Sequence, residues 1–127
     1  MAVIRSFRDL RVYQQARAEA LKVFRLTGTF PVEERYSLTD QVRRSSRAVK
    51  SMLAEAWGHR RYQASFISKV TGALGEATET QSWLDDALDC GYISATEHKE
   101  CDAAWQSIGA GLHMMIERAE DFCPNTK

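Results

Sequence analysis

The stretch Tyr62–Asp89, YQASFISKVTGALGEATETQSWLDDALD, decides how the rest of the chain is read. Ile67, Val70, Leu74, Ala77, Gln81, Leu84 and Leu88 recur at spacings that alternate between three and four. That heptad-like pattern is the signature of a helix burying one face, with Gln81 as its polar exception. Cys90-Gly91 closes the segment, because glycine accepts the left-handed backbone that follows a helix C-terminus.

Three further segments flank it. From about Leu10 to Thr27, Val12, Tyr13, Ala16, Ala20, Val23, Phe24 and Thr27 share a face, with Asp9 read as the N-cap and Gly28 and Pro31 as the stop. From about 37 to 57, Leu38, Val42, Ser45, Val49, Met52, Leu53 and Ala56 form the stripe, and Gly58 ends it. From 95 to about 121, the run Cys101, Trp105, Ile108, Leu112, Met115, Ala119 and Phe122 follows a capping box, Ser94-Ala95-Thr96-Glu97. Pro124 marks its end, and the tail Asn125-Thr126-Lys127 reads as frayed.

Four long helices (about 10–27, 37–57, 62–89 and 95–121) joined by short loops predict an all-α, antiparallel, up-down-up-down four-helix bundle, with residues 1–127 as one domain. Two prolines and seven glycines in 127 residues disfavour a turn-rich β architecture. Tyr13, Trp57, Tyr62, Trp83 and Tyr92 lie beyond the plain stripes and read either as rim packing or as a subunit interface.

The charge pattern carries more information than its sum. Seventeen basic and seventeen acidic residues give a formal net charge of zero, which excludes a uniformly basic nucleic-acid coat. Residues 1–62, however, hold 13 Lys/Arg against 6 Asp/Glu, a net of +7, and residues 63–127 hold 4 against 11, a net of −7. Two readings follow. The basic and acidic helices pair, within a subunit or between subunits. Alternatively the basic face stays free and meets RNA or DNA phosphates, with Arg43, Arg44, Arg47 and Lys50 sharing a surface and Arg60 and Arg61 adding to it.

Catalytic chemistry is not legible. HExxH, CxxC and GxxxxGK[ST] motifs are absent, and no glutamate has a histidine three residues later, as a di-iron bundle requires. His113 and Glu117 stand at i, i+4, a pairing more typical of a surface histidine than of a metal site. Gly72, Gly75, Gly109 and Gly111 lie inside helical patterns and suit close helix approach. The expectation is a non-enzyme with no catalytic residue, no metal and no cofactor. Cys90, Cys101 and Cys123, odd in number and irregular in spacing, suit a reducing cytoplasm. The N-terminus has no signal-peptide-like apolar run, and no stretch is long enough to span a membrane.

Several motifs together carry a family resemblance. Phe7-Arg8-Asp9-Leu10-x-Val12-Tyr13-Gln14 is followed by Phe30-Pro31-x-x-Glu34-x-Tyr36-x-Leu38-x-x-Gln41-x-Arg43-Arg44. Ala54-Glu55, Phe66, Ala73-x-Gly75-x-x-Glu79 and Leu88-x-x-Gly91-Tyr92-Ile93 complete the series. In order and spacing these resemble the four-helix-bundle proteins of the 23S rRNA intervening sequence family, over about residues 7–123. The resemblance implies a cyclic homo-oligomer, typically a pentamer. It also implies kinship with the accessory variability protein of diversity-generating retroelements, a basic pentameric bundle that binds a reverse transcriptase and nucleic acid. It assigns no activity.

Lys50, Met52 and Ala56 depart from the proline, asparagine and glycine common in the family, and Gln81 stands where a second glutamate is common. The matched residues Gln41, Arg43, Arg44, Glu55 and Glu79 also suit an interhelical polar network that fixes the bundle or its oligomer. The functional expectation is therefore a non-enzymatic accessory module that binds nucleic acid through a basic face on the first two helices. The alternative is a structural, protein-binding scaffold whose charge split drives assembly.

Overall fold

Local signals in the chain set where each helix begins and ends. The computed structural model describes residues 3–124; the tail Asn125-Thr126-Lys127 lies outside the described residues. The four helices are α1 (Arg11–Leu26), α2 (Leu38–Gly58), α3 (Gln63–Asp89) and α4 (Ala95–Glu117), with short 3-10 turns at Phe7–Asp9, Thr27–Thr29, Val32–Glu34 and Ala119–Asp121. Among the described residues there is no strand.

Gly91 is the sole residue described with positive φ, at +74°. It sits at the end of α3 in a full Schellman turn, the Tyr92 N–H reaching the Ala87 carbonyl at 2.9 Å and the Gly91 N–H reaching Leu88 at 3.0 Å. The α4 capping box closes reciprocally: the Glu97 N–H donates to Ser94 Oγ at 3.1 Å, and the Ser94 N–H to Glu97 Oε1 at 2.8 Å. Phe30, forced extended by Pro31, ends the α1 region with ψ 150°.

Three local expectations shift. Asp9 does not cap α1. Its carboxylate accepts from the Ser6 and Arg5 amides at 3.1 and 2.9 Å and closes the preceding 3-10 turn, while buried Leu10 stands at the α1 N-cap with no side-chain cap. The fourth helix stops at Glu117, not near 121, because Arg118 leaves helical geometry and a 3-10 turn follows. That turn buries Ala119 and stacks Phe122 on Phe66 with ring centroids 5.9 Å apart.

The third correction concerns the phase of α3. Its buried residues are Phe66, Val70, Ala73, Ala77, Thr80, Leu84 and Ala87, whereas Ile67, Leu74, Gln81 and Leu88 are only partly covered. The helix packs extensively against both α2 and α4, so the buried centre lies between the two contact faces. Small Ala73, Ala77, Thr80 and Ala87 share that centre with Phe66, Val70 and Leu84, while Ile67, Leu74 and Leu88 flank it. Ser45 of α2 and Thr80 of α3 meet there through a buried hydroxyl–hydroxyl hydrogen bond of 2.8 Å.

Trp105, Phe66, Leu53, Leu84, Ile108, Leu112 and Met115 are fully buried in the shared core. Burying a large apolar side chain contributes about 1.5–3 kcal/mol. A surface ion pair contributes about 0–1 kcal/mol, so the core and not the charge pattern holds the bundle together. α1 joins through α2 and α4, and Gly111 lets it approach, since a Cβ there would stand 2.7 Å from Val12 Cγ2. The aromatics beyond the stripes divide: Tyr13 is buried, Trp57, Trp83 and Tyr92 are half-buried against the core, and Tyr62 is exposed.

Candidate nucleic-acid interface

Adjacent helical residues point about 100° apart, and this separates Arg43 from Arg44. Arg43 turns toward α1. Its Nε donates to Thr27 Oγ1 at 2.7 Å and its Nη2 to the Phe24 carbonyl at 3.3 Å, and its guanidinium lies 4.5 Å from the centroid of the Phe24 ring. Arg47, one turn on, lies 5.3 Å from the same ring. Lys50 follows on that face and lines a groove between α1 and α2 together with Arg47.

Arg44 turns the other way, toward α3. Its Nε donates to Gln41 Oε1 at 3.0 Å, one Nη meets Glu76 at 3.2 Å and the other meets Glu79. Partial burial opposes the Arg44 charge, but Glu76 and Glu79 outweigh it and raise the guanidinium pKa. The four cations read as one surface therefore fall into a set with no carboxylate partner among the described residues, Arg43, Arg47 and Lys50, and a neutralised one, Arg44.

The polar set suggested by sequence is brought together in part. Gln41, Arg44 and Glu79 join one network, with Glu76 as an added member. Glu55 lies apart and pairs with Lys69 at 3.1 Å. Arg60 and Arg61 sit at the α2–α3 turn, stacked on Trp57 at 4.0 Å and on Tyr62 at 5.7 Å, and they line a separate depression with Asp121 and Phe122.

The groove between α1 and α2 encloses about 650 Å³. Arg8 and Arg17 of the N-terminal region complete its basic rim, and Tyr13, Ala20, Leu21 and Phe24 contribute its apolar lining. Leu21 and Phe24 are 48% and 43% exposed, unusual for large apolar side chains beside cations. Among the described residues none of Arg8, Arg17, Arg43, Arg47 and Lys50 is paired with a carboxylate. Sequence reading placed Phe24 in the core stripe and passed over Arg8 and Arg17 as site residues. The signal for Arg17 is its place in the stripe Arg17-Leu21-Phe24, spaced four and three beside buried Tyr13.

The departures from the family pattern also find places. Lys50 stands on the groove rim, and Ala56 is fully buried. Met52 packs into the space left by Gly72, where any Cβ would collide with its terminal methyl. Gln81 links α3 to α4 by donating to Asp102 Oδ1 at 3.2 Å and Gln106 Oε1 at 3.1 Å. Beside it, Asp85, His98 and Asp102 bring one donor atom each within 4.8 Å of the others, the one such metal-capable cluster among the described residues.

The sequence model of the 23S rRNA-intervening sequence protein family matches residues 8–114, a span that contains all four helices nearly whole. The chain belongs to the 23S rRNA-intervening sequence protein family. A crystal structure at 1.70 Å of a protein of unknown function from the S23 ribosomal protein family of Bacteroides thetaiotaomicron VPI-5482 has the same fold. It superposes with a TM-score of 0.76 at 24% identity, over 84% of this chain and 95% of that one. No curated protein matches. Among the described residues no helix is long and apolar enough to cross a membrane.

Proposed function

We propose that this protein works without catalysis, as an oligomeric helix-bundle module that binds nucleic acid along the groove between α1 and α2. The observation that carries the reading is the four-cation rim, Arg8, Arg17, Arg47 and Lys50, with Arg43 one turn before Arg47 on α2, none of them with a carboxylate partner among the described residues. Cations that the fold leaves unpaired are available to phosphates. Arg44, held by Glu76 and Glu79, belongs to the bundle's own α2–α3 contact and not to this surface. Arg60 and Arg61 form a second, smaller basic point.

The assembled form is an up-down-up-down bundle, one domain over residues 1–127, repeated around a ring. The antiparallel reading is supported by the contacts Ser45–Thr80 and, ten residues further along α2, Glu55–Lys69, eleven residues earlier along α3. The ring, its five subunits and its cytoplasmic setting rest on the family resemblance and on the three free cysteines. Repeating one weak groove around a ring multiplies affinity through effective concentration.

The test is a mobility-shift titration of RNA and DNA at low and moderate salt. Engaging about five phosphates on duplex gives a slope of about −4.5 in log K against log salt. Affinity then falls about 10²- to 10³-fold between 50 and 200 mM salt. Arg47→Glu with Lys50→Glu abolishes this binding, whereas Arg44→Gln leaves it. Absence of binding at low salt refutes the reading. The competing reading, a scaffold whose acidic half seats in the neighbour's basic groove, is favoured by the apolar lining at Leu21 and Phe24. It predicts that the double charge reversal dissociates the oligomer while no nucleic acid binds.

A further inference from the structure

Asp85 lies in the second-last turn of α3, and His98 and Asp102 lie one turn apart in the first turns of α4. His98 Nε2 is 2.8 Å from Asp85 Oδ1, and Asp102 offers its carboxylate to the same space, all three donor atoms lying within 4.8 Å of one another. We propose that Asp85, His98 and Asp102 form a site for a divalent transition-metal ion of the Zn²⁺ class, tying α3 to α4. The site is spatially separate from the basic groove and does not depend on the nucleic-acid reading.

Its geometry and its charge both carry it. The i, i+4 spacing sets the His98 and Asp102 side chains on one side of α4, where both reach a single ion, and Asp85 supplies the third donor from across the helix contact. Tetrahedral zinc with bonds near 2.0–2.2 Å spaces its donors about 3.4 Å apart. The donors here stand between 2.8 Å and 4.8 Å apart, a range that brackets that spacing. Neither aspartate is paired with a lysine or arginine among the described residues, so no fixed cation offsets the two carboxylates that face His98. A dication bound there neutralises both.

His98 is also held in place, its side chain 19% exposed, while Asp85 opens to solvent at 64% and provides an entry path. Gln81, donating to Asp102 Oδ1, orients that ligand from behind, as partners of metal ligands commonly do. One imidazole and two carboxylates suit zinc, cobalt or manganese, while calcium calls for six to eight oxygens. The fourth position is left to water.

The experiment uses the full chain stripped of metal with a chelator and titrated with Zn²⁺ by calorimetry and with Co²⁺ by visible absorption. The expected result is one ion per chain, a tetrahedral cobalt spectrum displaced by zinc, and a melting temperature that rises with zinc concentration. Loss of a mere supporting partner costs a metal site about 10- to 100-fold, so Asp102→Asn and His98→Ala weaken binding by at least that much. Asp102→Asn leaves the His98–Asp85 pair intact and serves as the variant that keeps the fold. His113→Ala, which removes the other histidine–carboxylate pair at 3.0 Å from Glu117, leaves binding unchanged. Absence of a 1:1 complex, equal affinity in Asp102→Asn, or loss of binding in His113→Ala overturns the proposal.

Discussion

Glu34 and Tyr92 lie far apart in sequence, one in the loop before α2 and the other just after α3. The Tyr92 hydroxyl donates to Glu34 Oε2 at 2.9 Å, and Ser37 Oγ donates to Glu34 Oε1 at 2.5 Å. Ser37 first and Tyr92 second hold the Glu34 carboxyl below its ordinary range. The same carboxylate pushes the Tyr92 phenol up to about 12. The signs are opposite at the two ends of the pH scale. Glu34's contribution to stability is whole above the ordinary glutamate pKa and is lost as pH falls through its lowered folded value. Tyr92's contribution is whole below the ordinary tyrosine pKa of about 10 and is lost as pH rises through about 12. In an ultraviolet titration one of the four tyrosines therefore ionises late. Glu34→Gln brings that tyrosine back toward the ordinary range, and in Tyr92→Phe a carboxyl NMR titration shows Glu34 rising. Both residues belong to motifs noticed in the sequence, but their pairing is not legible there, because two loops meet only when α2 and α3 are docked.

Between helices, glycine positions separate packing from propensity. Gly111 faces Val12, whose β-branched side chain has little freedom to withdraw, and a Cβ would stand 2.7 Å from its Cγ2. Gly111→Ala therefore costs about 1–3 kcal/mol by overpacking the α1–α4 contact. Gly75 is exposed within α3 and a Cβ there meets nothing within 4 Å, so Gly75→Ala stabilises by about 0.4–1 kcal/mol through helix propensity and reduced unfolded-chain entropy. Chemical denaturation of the two variants checks both signs. Capping was readable for a related reason: Ser94–Glu97 and Gly91 act within one helical turn. The buried centre of α3 was misread by about one residue, since its phase depends on α2 and α4 pressing from two sides and on small residues such as Ala73 and Ala77 at the closest approach.

For the molecule as a whole, the split of +7 against −7 is only partly consumed inside the subunit. Arg44 pairs across α2 and α3 with Glu76 and Glu79, whereas the Glu55–Lys69 pair joins the minority charge of each half, and the α1–α2 groove keeps four cations, Arg8, Arg17, Arg47 and Lys50. Light scattering across micromolar concentrations is expected to give a mass that is a multiple of the 14.4 kDa chain, and a monomer throughout contradicts the ring. Raising salt is expected to weaken nucleic-acid binding before it changes that mass if the groove meets phosphate, because interactions with exposed charges are screened first.

The sequence by itself determined the helical class, the approximate limits of four helices, the capping box of α4, the glycine stop of α3 and the asymmetric distribution of charge, because those properties depend on spacing within a few turns. Its motifs also sufficed to point to the family that the chain belongs to. Only the tertiary structure decided which cations remain unpaired. Arg43 and Arg44 are neighbours in sequence, yet one turns to Phe24 and Thr27 of the α1 region and the other to the carboxylates of α3. The Asp85, His98 and Asp102 donors are likewise ordinary surface residues until α3 and α4 pack side by side. A side chain's charge is written in the sequence, but its partner is set by which helix face stands opposite.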